Sequence, residues 1–129
     1  MTVVYLTVED LLDIATTVLN SPPKVRDYGL LAAAAARPAS SAFGQDAYPD
    51  LASKAAALLH SVCTNHALID GNKRLAWVAT RVFVGLNSAT VPPDIDVDRA
   101  EEFMLMIASG NLNDVTEIAY RLRSLGVVE

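Results

Sequence analysis

Apolar residues recur along this chain at three- and four-residue intervals, the period of an amphipathic helix, in six separate stretches. In the first, Val8, Leu11, Leu12, Ala15, Val18 and Leu19 form one stripe; Thr7 is placed to cap its start and Asn20-Ser21-Pro22-Pro23 to end it. An alanine-rich second stretch runs from about Asp27 to Arg37 and is stopped by Pro38. Ala39 to Tyr48, with two serines, Gly44 and Phe43, reads as loop. Pro49 suits the first position of a third helix, whose stripe is Leu51, Ala55, Leu58, Leu59 and Val62, ending near His66.

The turn pair Asp70-Gly71 precedes a fourth helix, starting around Asn72 and expected to bury Leu75, Val78, Ala79, Val82, Phe83 and Leu86. Asn87 to Asp96 is a connector with Pro92-Pro93, in which Thr90-Val91 reads as a short extended piece. Asp96 caps a fifth helix, with Ala100, Phe103, Met104 and Ile107 inward, Leu105 and Met106 partly exposed, and Gly110 closing it. Asn113 is expected to cap a sixth, with Val115, Ile118, Ala119 and Leu122 inward. No repeat or low-complexity linker divides the chain. The expectation is all-α: a single compact six-helix domain over residues 1–129.

Composition narrows the function classes. Hydrophobic types make up 52% of the 129 residues, which is globular rather than disordered. Ten Lys and Arg against fifteen Asp and Glu leave a net charge of −5, so direct binding to nucleic acid is not expected. The longest apolar run, Leu30 to Ala36, is far short of the roughly 20 residues of a membrane span. A single cysteine, Cys63, excludes an internal disulfide, and Glu9, Asp10 and Asp13 interrupt any apolar leader. These features fit a cytoplasmic protein.

Reactive groups concentrate in His66-Ala67-Leu68-Ile69-Asp70-Gly71-Asn72-Lys73-Arg74, between the third and fourth helices. The first backbone N–H groups of a helix have no partner within it, and the helix dipole there favours negative charge. Lys73 and Arg74 nevertheless occupy that first turn, where acids are normally preferred, which points to a bound anion. Gly71 allows close backbone approach, and Asp70 suits a Mg²⁺ ion shared with phosphate oxygens. His66 is the titratable group fit to act as general base. A surface histidine beside an ordinary Asp-Gly turn and two solvated cations is the plainer account of the same residues, and spacing alone leaves both open. His60, Cys63 and His66 recur every three residues, but a zinc site needs further ligands, and helix packing is the better account of His60 and Cys63. Arg121 and Arg123 suit the dipole of the last helix.

These nine residues resemble the signature of the Fic/Doc superfamily, His-x-Phe-x-Asp-(Gly/Ala)-Asn-(Gly/Lys)-Arg, matched at His66, Asp70, Gly71, Asn72 and Arg74. Lys73 is the residue of the death-on-curing (Doc) branch, where it replaces the glycine of the adenylyl-transferring members. Leu68 stands in place of the phenylalanine that anchors the loop, and Trp77 in place of a second arginine that serves the adenylyl-transfer mode. The resemblance implies a toxin of a toxin–antitoxin module: a kinase that passes the γ-phosphate of ATP, with Mg²⁺, to a threonine of elongation factor Tu and arrests translation. It assigns His66 as the base and Asp70 as the metal ligand. Gly71, Asn72, Lys73 and Arg74 would cradle the ATP phosphates, Asn72 by shaping the loop.

Fic-type AMP transfer, or a catalytically inactive helical interaction module, are the alternatives. The family's inhibitory pattern, (Ser/Thr)-x-x-x-Glu-(Gly/Asn), fits none of Glu9, Glu101, Glu102, Glu117 or Glu129. The resemblance therefore implies a separate, Phd-like antitoxin that seats an amphipathic segment in an apolar groove near the loop.

Overall fold

The computed structural model describes residues 2–88 and 94–129. Among these described residues six α-helices follow in order: α1 (Val8–Leu19), α2 (Tyr28–Ala36), α3 (Leu51–Thr64), α4 (Asn72–Asn87), α5 (Val97–Ala108) and α6 (Val115–Leu125). The architecture is all-α, as the periodicity predicts. Among the described residues no helix is long and apolar enough to cross a membrane.

Local chemistry accounts for the helix starts. Thr7 and Asp10 form a reciprocal cap on α1, the Asp10 N–H reaching the Thr7 hydroxyl at 3.1 Å and the Thr7 N–H reaching the Asp10 carboxylate at 2.8 Å. Asn20 ends α1 in the left-handed conformation. Asp27 caps α2, and Asp96 caps α5. Two helix starts fall later than expected. Asp50, not Pro49, opens α3: its carboxylate accepts the Ser53 N–H at 2.7 Å while the Ser53 hydroxyl accepts the Asp50 N–H at 3.3 Å, leaving Pro49 outside the helix. Asp114, not Asn113, caps α6, accepting the Thr116 N–H at 2.8 Å. Asn113 instead donates its side-chain amide to the Gly110 carbonyl at 2.6 Å.

Between α2 and α3 the expected loop contains a 3₁₀ turn (Arg37–Ala39) and a two-stranded antiparallel hairpin, β1 (Ser41–Ala42) and β2 (Gln45–Asp46). Phe43, at its tip, is fully exposed. The hairpin is tied to α3 through Lys54. That side chain is buried, lies 3.2 Å from the Asp46 carboxylate and donates to the Tyr48 carbonyl. The extended piece expected at Thr90-Val91 lies outside the described residues.

α3 is the centre of the fold, packed by every other helix except α1. Its buried set exceeds one stripe: Ala52, Ala55, Ala56, Ala57, Leu58, Leu59, Val62 and Cys63 are all covered. Small alanine side chains let α4 and α6 approach closely, which excludes water from nearly the whole helix surface. The buried face of α4 is correspondingly rotated. Leu75, Ala76, Ala79, Thr80, Phe83 and Val84 point inward, whereas Val82 and Leu86, expected inside, are exposed. Arg123 of α6 reaches the Asp50 carboxylate at 3.2 Å, and the Ser53 hydrogen bonds, helped by that guanidinium, hold the carboxyl below the usual range.

Candidate active site

α3 ends at Thr64, two residues short of the expected His66, and a loop from Asn65 to Gly71 leads into α4. Its alternation is buried-buried then exposed-exposed. Ala67 and Leu68 are in the core at 3% and 1% exposure, whereas Ile69 and Asp70 face solvent. Leu68 thus anchors the loop despite its smaller volume. Asn72 fastens the anchor from within α4. Its side-chain carbonyl accepts the Leu68 N–H at 3.0 Å, and its side-chain amide donates to the Leu68 carbonyl at 2.9 Å. Both ends of the Asn72 side chain are therefore engaged by the loop backbone.

Gly71 takes φ +87 at the start of α4 and supplies no side-chain cap. The first turn carries no acid; Lys73 and Arg74 are there instead, both exposed. The leading amides of α4 and two cations therefore face the same end of the helix as Asp70. A cavity of about 440 Å³ lies at this point, bordered by Cys63, His66, Asp70, Gly71, Lys73 and Arg74. The structure brings together every residue singled out in the loop except that Asn72 touches the cavity while using its side chain to hold the loop. One carboxylate with phosphate oxygens and water is a donor set that fits Mg²⁺, and the cationic helix start fits a polyphosphate.

His60 and Cys63 are used otherwise. The His60 Nδ1 faces the Arg37 guanidinium at 2.9 Å, and that guanidinium also reaches Tyr48 and Ser61, joining the 3₁₀ turn to α3. Burial, then the Arg37 charge, pushes the His60 pKa down, so its neutral form is favoured. Burial pushes the Cys63 thiol up, with Lys73 opposing, so it is a poor nucleophile although it borders the cavity.

Local sequence signals missed the segment between α1 and α2. Its backbone runs antiparallel to the loop, with Val25 bridged to Leu68 and the Ile69 N–H donating to the Lys24 carbonyl at 2.9 Å. Arg26 and Asp27 both donate their N–H groups to the Ala67 carbonyl, at 2.7 and 3.1 Å. The Arg26 side chain adds bonds to the carbonyls of His66 and Asn65. Leu19, at the end of α1, lies against Gly71, where a Cβ would meet its methyl at 2.5 Å. Nothing in the loop's own residues announces these partners.

A second cavity, about 310 Å³ and mostly apolar, adjoins the first. Val18, Trp77, Val78, Val97 and Met104 form its walls, and Lys73 and Arg74 border both cavities. Trp77 carries the Arg81 guanidinium 5.9 Å from its ring centre.

The chain is similar to known proteins over most of its length. A protein named Toxin Doc from Mycolicibacterium smegmatis is 49% identical over 118 residues, covering 92% of this chain and 90% of that protein. The Fic/DOC family model matches residues 5–84, the span from just before α1 through the loop and most of α4. Most of the chain is thus matched, and it belongs to the Fic/DOC family.

Proposed function

We propose that this protein is the toxin of a toxin–antitoxin module and acts as a kinase, passing the γ-phosphate of ATP to a threonine hydroxyl of elongation factor Tu. The observation that carries the reading is the single cavity at the start of α4 that gathers His66, Asp70, Gly71, Lys73 and Arg74. ATP with Mg²⁺, when bound, supplies the phosphoryl group and part of the charge neutralisation. His66 takes the proton of the attacking hydroxyl as general base. Asp70 holds the metal, while Lys73, Arg74 and the leading amides of α4 hold the phosphates in place. Phosphoryl transfer asks little else of a protein than positioning and electrostatic stabilisation.

Trp77 favours phosphate over AMP as the transferred group. It is half-buried in the neighbouring apolar groove, where the adenylyl-transfer pattern has a second arginine. The groove also suits the antitoxin. Its apolar walls and its three cations, Lys73, Arg74 and Arg81, against one acid, Glu101, fit an amphipathic helix with an acidic edge, which would block the adjoining site.

The deciding experiment is mass spectrometry of elongation factor Tu, and of a whole translation extract, after incubation with protein, ATP and Mg²⁺. A phosphate added to a threonine supports the reading; an added AMP makes the protein an adenylyltransferase, and no modification leaves an interaction module. His66→Ala is expected to lower transfer by about 10²- to 10⁴-fold, and to abolish growth arrest on expression without the antitoxin. Growth arrest by His66→Ala would remove His66 from its role.

A further inference from the structure

His66 has φ +53, a left-handed conformation that an L residue adopts when its surroundings impose it. The imposing contacts come from a dipeptide 40 residues earlier in the chain. The Arg26 Nε donates to the His66 carbonyl at 2.7 Å, and Nη2 donates to the Asn65 carbonyl at 3.2 Å. The main-chain N–H groups of Arg26 and Asp27 take the next carbonyl, that of Ala67. Three successive carbonyls of the loop that follows α3, those of Asn65, His66 and Ala67, are thus held by Arg26-Asp27.

We infer that Arg26 is a positioning residue for His66: by bridging the Asn65 and His66 carbonyls, its guanidinium sets the peptide orientation that aims the imidazole at the cavity. The inference rests on the reading of His66 as the general base. The guanidinium suits the task because two of its donors lie in one rigid plane, so both carbonyls are fixed relative to each other. A lysine ammonium at the same place holds one carbonyl at a time. The hold is separable from the fold. Arg26 is exposed, and the loop keeps its main-chain bonds to Lys24, Arg26 and Asp27 and its Asn72 clamp without the guanidinium. Misplacing a reacting group by about an ångström lowers rates by roughly 10²-fold.

The test compares wild type, Arg26→Ala and Arg26→Lys in steady-state transfer from ATP, with the His66 ¹³Cα and ring resonances recorded by NMR on each protein. Arg26→Ala is expected to remain folded, to lose about 10- to 100-fold in kcat with an unchanged KM for ATP, and to move the His66 ¹³Cα shift away from its left-handed value. Arg26→Lys should recover part of both. The inference is overturned if Arg26→Ala keeps wild-type kcat or the wild-type His66 shift, or if its loss is entirely in KM. Should Arg26→Ala fail to fold, Arg26→Lys decides by the same two readouts: intermediate values support the bridge, and wild-type values in both refute it. If the wild-type protein transfers neither phosphate nor AMP, the proposed function fails, and the His66 shift alone then decides whether Arg26 sets that residue's conformation.

Discussion

Gly71→Ala is the most informative single perturbation of the loop, because the family signature admits alanine at this position whereas the structure of this chain opposes it. Two costs are legible. Holding an L residue at φ +87 is unfavourable by about 1–2 kcal/mol. The new methyl group would also lie 2.5 Å from a Leu19 methyl, and pushing that flexible side chain off its rotamer adds about 0.5–1.5 kcal/mol. Alanine restricts the unfolded chain, which returns about 0.4–1 kcal/mol. The net expectation is a loss of about 2 kcal/mol.

Chemical denaturation of wild type, Gly71→Ala, Leu19→Ala and the double variant measures both parts. In the Leu19→Ala background the nearest contacts of the new methyl are removed, so Gly71→Ala should lose mainly the backbone part, with a coupling of about 0.5–1.5 kcal/mol. A Gly71→Ala protein within about 0.5 kcal/mol of wild type would refute the backbone argument. An equal loss in both backgrounds would refute the contact with Leu19.

Other outcomes follow from the same physical reasoning. The Thr80 hydroxyl is fully buried without a hydrogen-bond partner among the described residues, so Thr80→Val should raise stability by about 1 kcal/mol in denaturant melts. Because the fold lowers the His60 pKa, the unfolded chain takes up the proton first as pH falls through 6.5. Stability should therefore decline below that pH until the folded His60 itself protonates, and His60→Gln should flatten the decline in melts between about pH 8 and pH 5. Lys73→Gly is expected to lower γ-phosphate transfer in the mass-spectrometric assay; unchanged transfer would remove Lys73 from phosphate binding.

Features that depend on neighbours within one helical turn were legible in the chain alone. Thr7 and Asp96 cap where they were expected to, Gly110 takes a positive φ beyond α5, and Leu105 is half exposed, because each reports a contact three or four residues away. The reactive loop was legible for the same reason, its residues being contiguous. Exact helix starts were not: the Asp50 carboxylate caps α3 so that it opens at Leu51 rather than at Pro49, and Asp114 takes the capping place of its neighbour Asn113, whose side chain is drawn to the Gly110 carbonyl.

What the sequence by itself determined, then, is the helical period, the element order and the cluster His66–Arg74 with its family signature. Only the tertiary structure decided which face of α4 is covered, since close approach to the alanine surface of α3 turns Ala76 and Thr80 inward and leaves Val82 and Leu86 outside. Only it, too, brought Leu19 against Gly71 and Arg26 onto the carbonyls of Asn65 and His66. Those partners lie tens of residues from the loop, and their pairing is set by how α1, α2 and α3 pack, a long-range choice that no local periodicity encodes.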